Sequence, residues 1–111
     1  MGIKDSLDVY YSPDVFPRFS LGDDSLIKIL KQFEIDRSET YEDKRNFALL
    51  EMVVDEHGKV IPNSVIINGL KSKKLIYEIL NCETLLSNWD SAFYKGKPVK
   101  SKVNLRIQII D

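Results

Sequence analysis

The sequence predicts an α+β domain: a three-stranded antiparallel sheet in the order second, first, third, with two helices packed on one face. Three observations predict it. Two apolar runs flank the polar reversal Asp55-Glu56-His57-Gly58, where a glycine can supply the positive φ of a tight turn. Two stretches, 26–33 and 75–86, carry apolar residues at helical spacing. Residues 101–110 alternate strictly between apolar and polar, the pattern of a strand with one buried and one wet face.

Taken in order, residues 1–21 hold Tyr10, Tyr11, Pro13, Phe16, Pro17 and Phe19 and read as an extended lead-in or linker remnant that lays a few rings on the domain. The domain itself is expected over 22–111. Gly22-Asp23-Asp24-Ser25 starts a helix, with acidic side chains at the positive end of its dipole. Leu26, Ile27, Ile29, Leu30 and Phe33 form its apolar stripe, and the helix is expected to end at Phe33 or Glu34. Residues 36–44 are polar and read as a loop.

The first strand is expected over about 46–55. Its run from Phe47 to Val54 is apolar on both parities except at Glu51, which suits a central strand covered on both sides. The second strand is expected over about 59–68, and Pro62, which cannot donate to a ladder, makes it an edge or bulged strand. Ser72 is the expected cap of a second helix over about 72–84, with Leu75, Ile76, Ile79, Leu80 and Leu86 as its stripe. Trp89 falls in a loop and Gly96-Lys97-Pro98 in a turn. The third strand, about 101–110, turns Val103, Leu105, Ile107 and Ile109 to the core and Lys102, Asn104, Arg106 and Gln108 to solvent. Placing it beside the first strand keeps the sheet antiparallel and leaves the second and third strands as open edges.

The 111 residues suffice for one domain with a modest core. Sixteen basic and seventeen acidic side chains give a net charge of −1, which argues against non-specific binding to nucleic acid or anionic membranes. Cys82 is the only cysteine, which excludes an intrachain disulfide and a cysteine-rich metal site. No apolar run approaches the ~20 residues of a membrane span. His57 is the only histidine; beside Asp55 and Glu56 it makes a poor ligand set and reads as part of a polar turn. No nucleophile–base–orienter pattern occurs, so no catalytic residue, metal or cofactor is expected and the chain is not read as an enzyme. Trp89 reads as the edge of the core rather than a binding platform.

The ordered set Val53-Val54-Asp55-Glu56-His57-Gly58-Lys59-Val60, the helix after Gly69, Trp89, Gly96-Lys97-Pro98-Val99 and Val103-Asn104-Leu105-Arg106-Ile107 resembles the TonB C-terminal domain family. Phe16-Pro17 and the helix from Gly22 resemble its lead-in and first helix, so the likeness covers about residues 15–110. The resemblance implies the periplasmic part of an energy transducer of transmembrane transport, anchored to the inner membrane by a helix upstream of residue 1. It also implies a partner, a short extended segment of an outer-membrane transporter, added as a strand to the last strand of the domain. Through that missing anchor, proton-channel proteins of the inner membrane are implied partners too.

An open edge can accept such a segment through its main chain. The expected binding edge is therefore Lys102, Val103, Asn104, Leu105, Arg106, Ile107, Gln108, Ile109 and Ile110. The same edge allows pairing between two copies as a homodimer. Ile35-Asp36, Asn46 and Ser91 stand where the family often has Tyr-Pro, Gly and Pro. They mark a divergent member and motivate the alternative of a sensory or scaffolding domain on a membrane signalling protein or lipoprotein, without a transport role.

Overall fold

The computed structural model describes residues 8–41 and 44–111; the start of the expected lead-in, 1–7, lies outside them. In chain order the elements are β1 (Val9–Tyr10), β2 (Arg18–Phe19), α1 (Asp23–Lys31), β3 (Ile35–Asp36), β4 (Phe47–Val54), β5 (Ile66–Ile67), α2 (Lys74–Leu80), α3 (Glu83–Ser87), β6 (Trp89–Asp90), β7 (Ala92–Tyr94) and β8 (Lys97–Ile110).

The α+β mixture is present, but the expected three-stranded antiparallel sheet is not. β1, β3, β4, β5, β7 and β8 form one mixed six-stranded sheet that curls, β2 and β6 form a separate two-stranded sheet, and the described residues hold three helices. The order β5-β4-β8 runs through the middle, with β1 beyond β8. β1 and β3 lie parallel to β8, whereas β4 and β7 lie antiparallel to it. The strands that overturn the simpler sheet are two or three residues long, too short to show any period in a sequence.

Local chemistry explains the other departures. Pro62 splits the expected second strand: Val60 makes a single bridge to Val54, residues 62–64 form a 3-10 turn, and only Ile66 and Ile67 pair with β4. Ser64 stitches this break, since its hydroxyl accepts from the Val53 N–H at 2.9 Å and donates to the Ile61 C=O at 2.6 Å. The expected second helix is two helices, parted at Asn81 and Cys82, where Cys82 has ψ 84°. Lys73 rather than Ser72 holds the cap position of α2, and the Ser72 hydroxyl accepts only a long 3.4 Å contact from the Lys74 N–H. The last strand starts at Lys97 instead of 101 because Lys95 (φ 50°) and Gly96 (φ 77°) make a two-residue hairpin with β7. Pro98 faces Phe93 there, in the position whose N–H a two-residue hairpin leaves unbonded.

The reversal at 55–58 is an Asx turn. The Asp55 carboxylate accepts from the His57 and Lys59 N–H groups at 2.8 and 2.9 Å, which substitutes for backbone partners the turn lacks.

All three helices contribute to one core against the sheet. Leu50, Met52, Ile79, Leu85 and Ile107 are fully buried in it, and Leu26, Ile29, Leu30, Leu75 and Ile76 pack at its rim. Each fully buried aliphatic side chain contributes about 1.5–3 kcal/mol. Trp89 is buried rather than half-exposed. Its ring meets Phe19 edge-on at 5.2 Å and its Nε1–H donates to the Leu85 C=O at 2.7 Å, which satisfies the one polar atom that burial would otherwise strand. Among the described residues no helix is long and apolar enough to cross a membrane.

Candidate functional site: the outer edge of the last strand

β8 is the strand on which the sheet converges. β4 pairs with it from Phe47↔Gln108 to Val54↔Ser101, and β7 continues on the same side from Ala92↔Val99 to Tyr94↔Lys97. The opposite side is only partly occupied. β1 takes it at Lys100 and Ser101, and β3 takes it at Ile109 and Ile110. Residues 102–108 have no strand beside them there among the described residues.

The hydrogen bonds of Val53 determine which main-chain groups face that gap. Its N–H donates to Ser64 and its C=O accepts from the Ile61 N–H, both on the β5 side. Successive residues of an antiparallel ladder turn to opposite neighbours. Lys102, opposite Val53, therefore turns its main-chain groups away from β4, and Asn104, Arg106 and Gln108 follow in phase. Ile109 confirms the phase from the other end, since its N–H donates back to the Asn46 C=O at 2.9 Å. The N–H and C=O groups of Asn104 and Arg106 thus point outward, midway between β1 and β3.

Side chains alternate as the pattern predicts. Ile107 and Ile109 are buried, Val103 and Leu105 half-buried, Lys102 half-buried, and Asn104, Arg106, Gln108 and Ile110 exposed. The open edge is shorter than expected. Ile109 and Ile110, expected as part of it, are already paired with Ile35 and Asp36, so the open stretch ends at Gln108. The cause is the chain after α1, which returns alongside β8 as β3.

The open stretch is the floor of a groove, and α1 is its wall. One section, about 480 Å³, lies between Phe16–Phe19, Asp23 and Leu26 on one side and residues 102–105 on the other. The next, about 180 Å³, lies between Ile27, Leu30 and Lys31 and the strand residues Arg106 and Gln108. Ile27, expected in the helix stripe, is half exposed at this wall. No sequence pattern marks these α1 residues as part of the site: amphipathic spacing says which side of a helix is apolar, not which strand edge it lies along.

Charge on the groove is uneven. The Lys102 ammonium pairs with the Glu51 carboxylate at 3.3 Å and lies 5.5 Å from the centre of the Tyr11 ring. The Arg106 guanidinium stacks 4.5 Å from the centre of the Phe47 ring. Neither Arg106 nor Lys31 has a carboxylate partner among the described residues.

Elsewhere the candidates do not assemble. His57 is well exposed, and its ring lies 4.0 Å from the Glu56 carboxylate. Cys82 is half-buried between α2 and α3. No three His, Cys, Asp or Glu side chains gather into a metal-holding group among the described residues. Comparisons with models of protein families, with curated proteins and with solved structures return no match.

Proposed function

We propose that this chain is a peptide-binding module that takes an extended segment of a partner protein onto the outer edge of β8 as an added strand. The observation that carries this reading is the outward aim of the Asn104 and Arg106 main-chain groups, with no strand beside them between β1 and β3 among the described residues. Four such groups, each contributing about 0.5–1.5 kcal/mol net, act against the cost of ordering the peptide. The affinity is accordingly modest, micromolar in order of magnitude. The likeness of the hairpin, Trp89 and the Gly96-Lys97-Pro98-Val99 run to TonB C-terminal domains supports a segment of an outer-membrane transporter as the partner, met in the periplasm by an inner-membrane transducer.

Amide chemical shifts recorded while a transporter-derived peptide is titrated in test the reading. Shifts are expected to centre on residues 102–108 and on the facing turns of α1. Shifts centred on β5, or on α3 and Trp89, would rule out this edge.

A further inference from the structure

We propose that the open stretch of β8 is selective for short acidic segments, in which carboxylates alternate with apolar side chains and lie at the Arg106 end. This rests on the strand-addition reading above and specifies its ligand.

Length is set by the chain's own strands. β1 ends opposite Ser101 and β3 begins opposite Ile109. The seven residues between them span roughly 23 Å at ~3.3 Å per residue. A longer strand has to displace β1 or β3 to continue pairing.

Alternation follows from the two faces the added strand inherits. Side chains on one side enter the groove against Leu26, Ile27 and Leu30 of α1, an apolar surface. Those on the other side lie level with the wet face of β8, beside Lys102, Asn104, Arg106 and Gln108.

Charge assigns the polar positions and their direction. Arg106 and Lys31 line the same section of the groove and have no carboxylate partner among the described residues. The stacking of Arg106 on Phe47 holds its guanidinium in place, so less side-chain freedom is lost when an acid docks. At the other end Lys102 already has Glu51, and Arg18 and Asp23 line the groove with opposite charges. The unbalanced positive charge of the groove therefore lies at the Arg106 and Lys31 end, and a carboxylate is attracted there. The same groove disfavours a basic segment at its Arg106 end.

Three heptapeptides with valine at alternate positions test this, carrying Glu, Gln or Lys at the positions between. Binding is followed by fluorescence anisotropy, and its location by amide shifts. An exposed ion pair is worth roughly threefold in affinity. The Glu peptide is expected to bind several-fold more tightly than the Gln peptide, with the Lys peptide weakest, and about 0.5 M salt, where the screening length falls to about 4 Å, is expected to erase the order. Arg106→Gln should narrow the gap between the Glu and Gln peptides, adding Lys31→Gln should close it, and Arg106→Glu with Lys31→Gln should invert the order of Glu and Lys. Equal affinities for all three peptides, with shifts at 102–108, would overturn the charge selection and leave strand addition standing. No shifts at 102–108 with any peptide would overturn both. Shifts at Asn104 and Arg106 that depend on protein concentration alone would identify a second copy of this chain as the occupant and overturn the proposal.

Discussion

The carbonyl oxygen of Trp89 lies 2.1 Å from where a Cβ on Gly58 would stand. The two residues are also joined by a hydrogen bond, from the Trp89 N–H to the Gly58 C=O at 3.1 Å. The tip of the Asp55–Gly58 turn is thereby seated against the buried tryptophan, and the turn connects β4 to the ring that Phe19 and Leu85 hold in place.

Gly58 and Gly96 share a left-handed conformation, with φ 79° and 77°, but a Cβ on Gly96 would meet nothing within 4 Å. Gly96→Ala is expected to cost about 1–2 kcal/mol, the strain of an L-residue in that region. Gly58→Ala adds a collision with backbone, so its cost should clearly exceed that. Urea melts compare the two, and equal losses would show that the turn is not seated on Trp89.

Leu50 and Ile107 are both fully buried in the common core. Truncating either to Ala is expected to cost about 2–5 kcal/mol. His57→Asn is expected to cost well under 1 kcal/mol, since the histidine is exposed in a polar turn. Denaturant midpoints separate these outcomes, and comparable losses at all three positions would misplace the core.

Proline distinguishes the two sides of β8. At Asn104 it removes an N–H that faces the gap, so peptide binding should be lost while the melting temperature changes little. At Val103 it removes an N–H aimed at β4 from the middle of the longest ladder, and the cost should reach about 3 kcal/mol or more. Circular dichroism melts and peptide titrations on both variants read this directly. Retained binding by Asn104→Pro would place the peptide elsewhere.

Asp36 carries a pH dependence. The N–H and hydroxyl of Ser38 both donate to its carboxylate at 2.9 Å and hold its pKa below the ordinary 3.8. A depressed carboxylate pKa gives stability that is present above the ordinary value and lost as pH falls through the lower folded value. Acid melts of the wild type should show this loss below about pH 3.8, and Asp36→Asn should remove that part of the dependence. Identical acid profiles for the two proteins would exclude the contribution.

The sequence made the long elements legible and the short ones invisible. The alternation of 101–110 identified the face that buries Ile107, and the two-sided apolarity of 47–54 identified β4 as interior to the sheet. Val9–Tyr10 and Ile35–Asp36 carry no such period, because two residues cannot show one. Their pairing with β8 is a long-range event in which neighbours in space lie far apart in the chain. That is why alternation alone leaves the binding edge open through Ile110, whereas β3 closes it at Ile109. Leu26 and Leu30 were legible as apolar helix positions, but that they wall a groove beside Arg106 depends on how α1 docks.

Because β1, β3, β4 and β7 all depend on β8 for their pairing, a growing chain cannot complete this sheet until residues 97–110 have been made. Before then β1 and β3 have no strand to pair with, and β4 has only β5 and the Val60 bridge. Tyr10 must find Ser101 across most of the chain, a closure with a large entropic cost, and contacts so distant in sequence slow folding. During synthesis the apolar β4 run is therefore exposed for a period set by the translation of everything between residues 54 and 97. An unpaired apolar strand of that kind is the species most exposed to aggregation before the sheet closes.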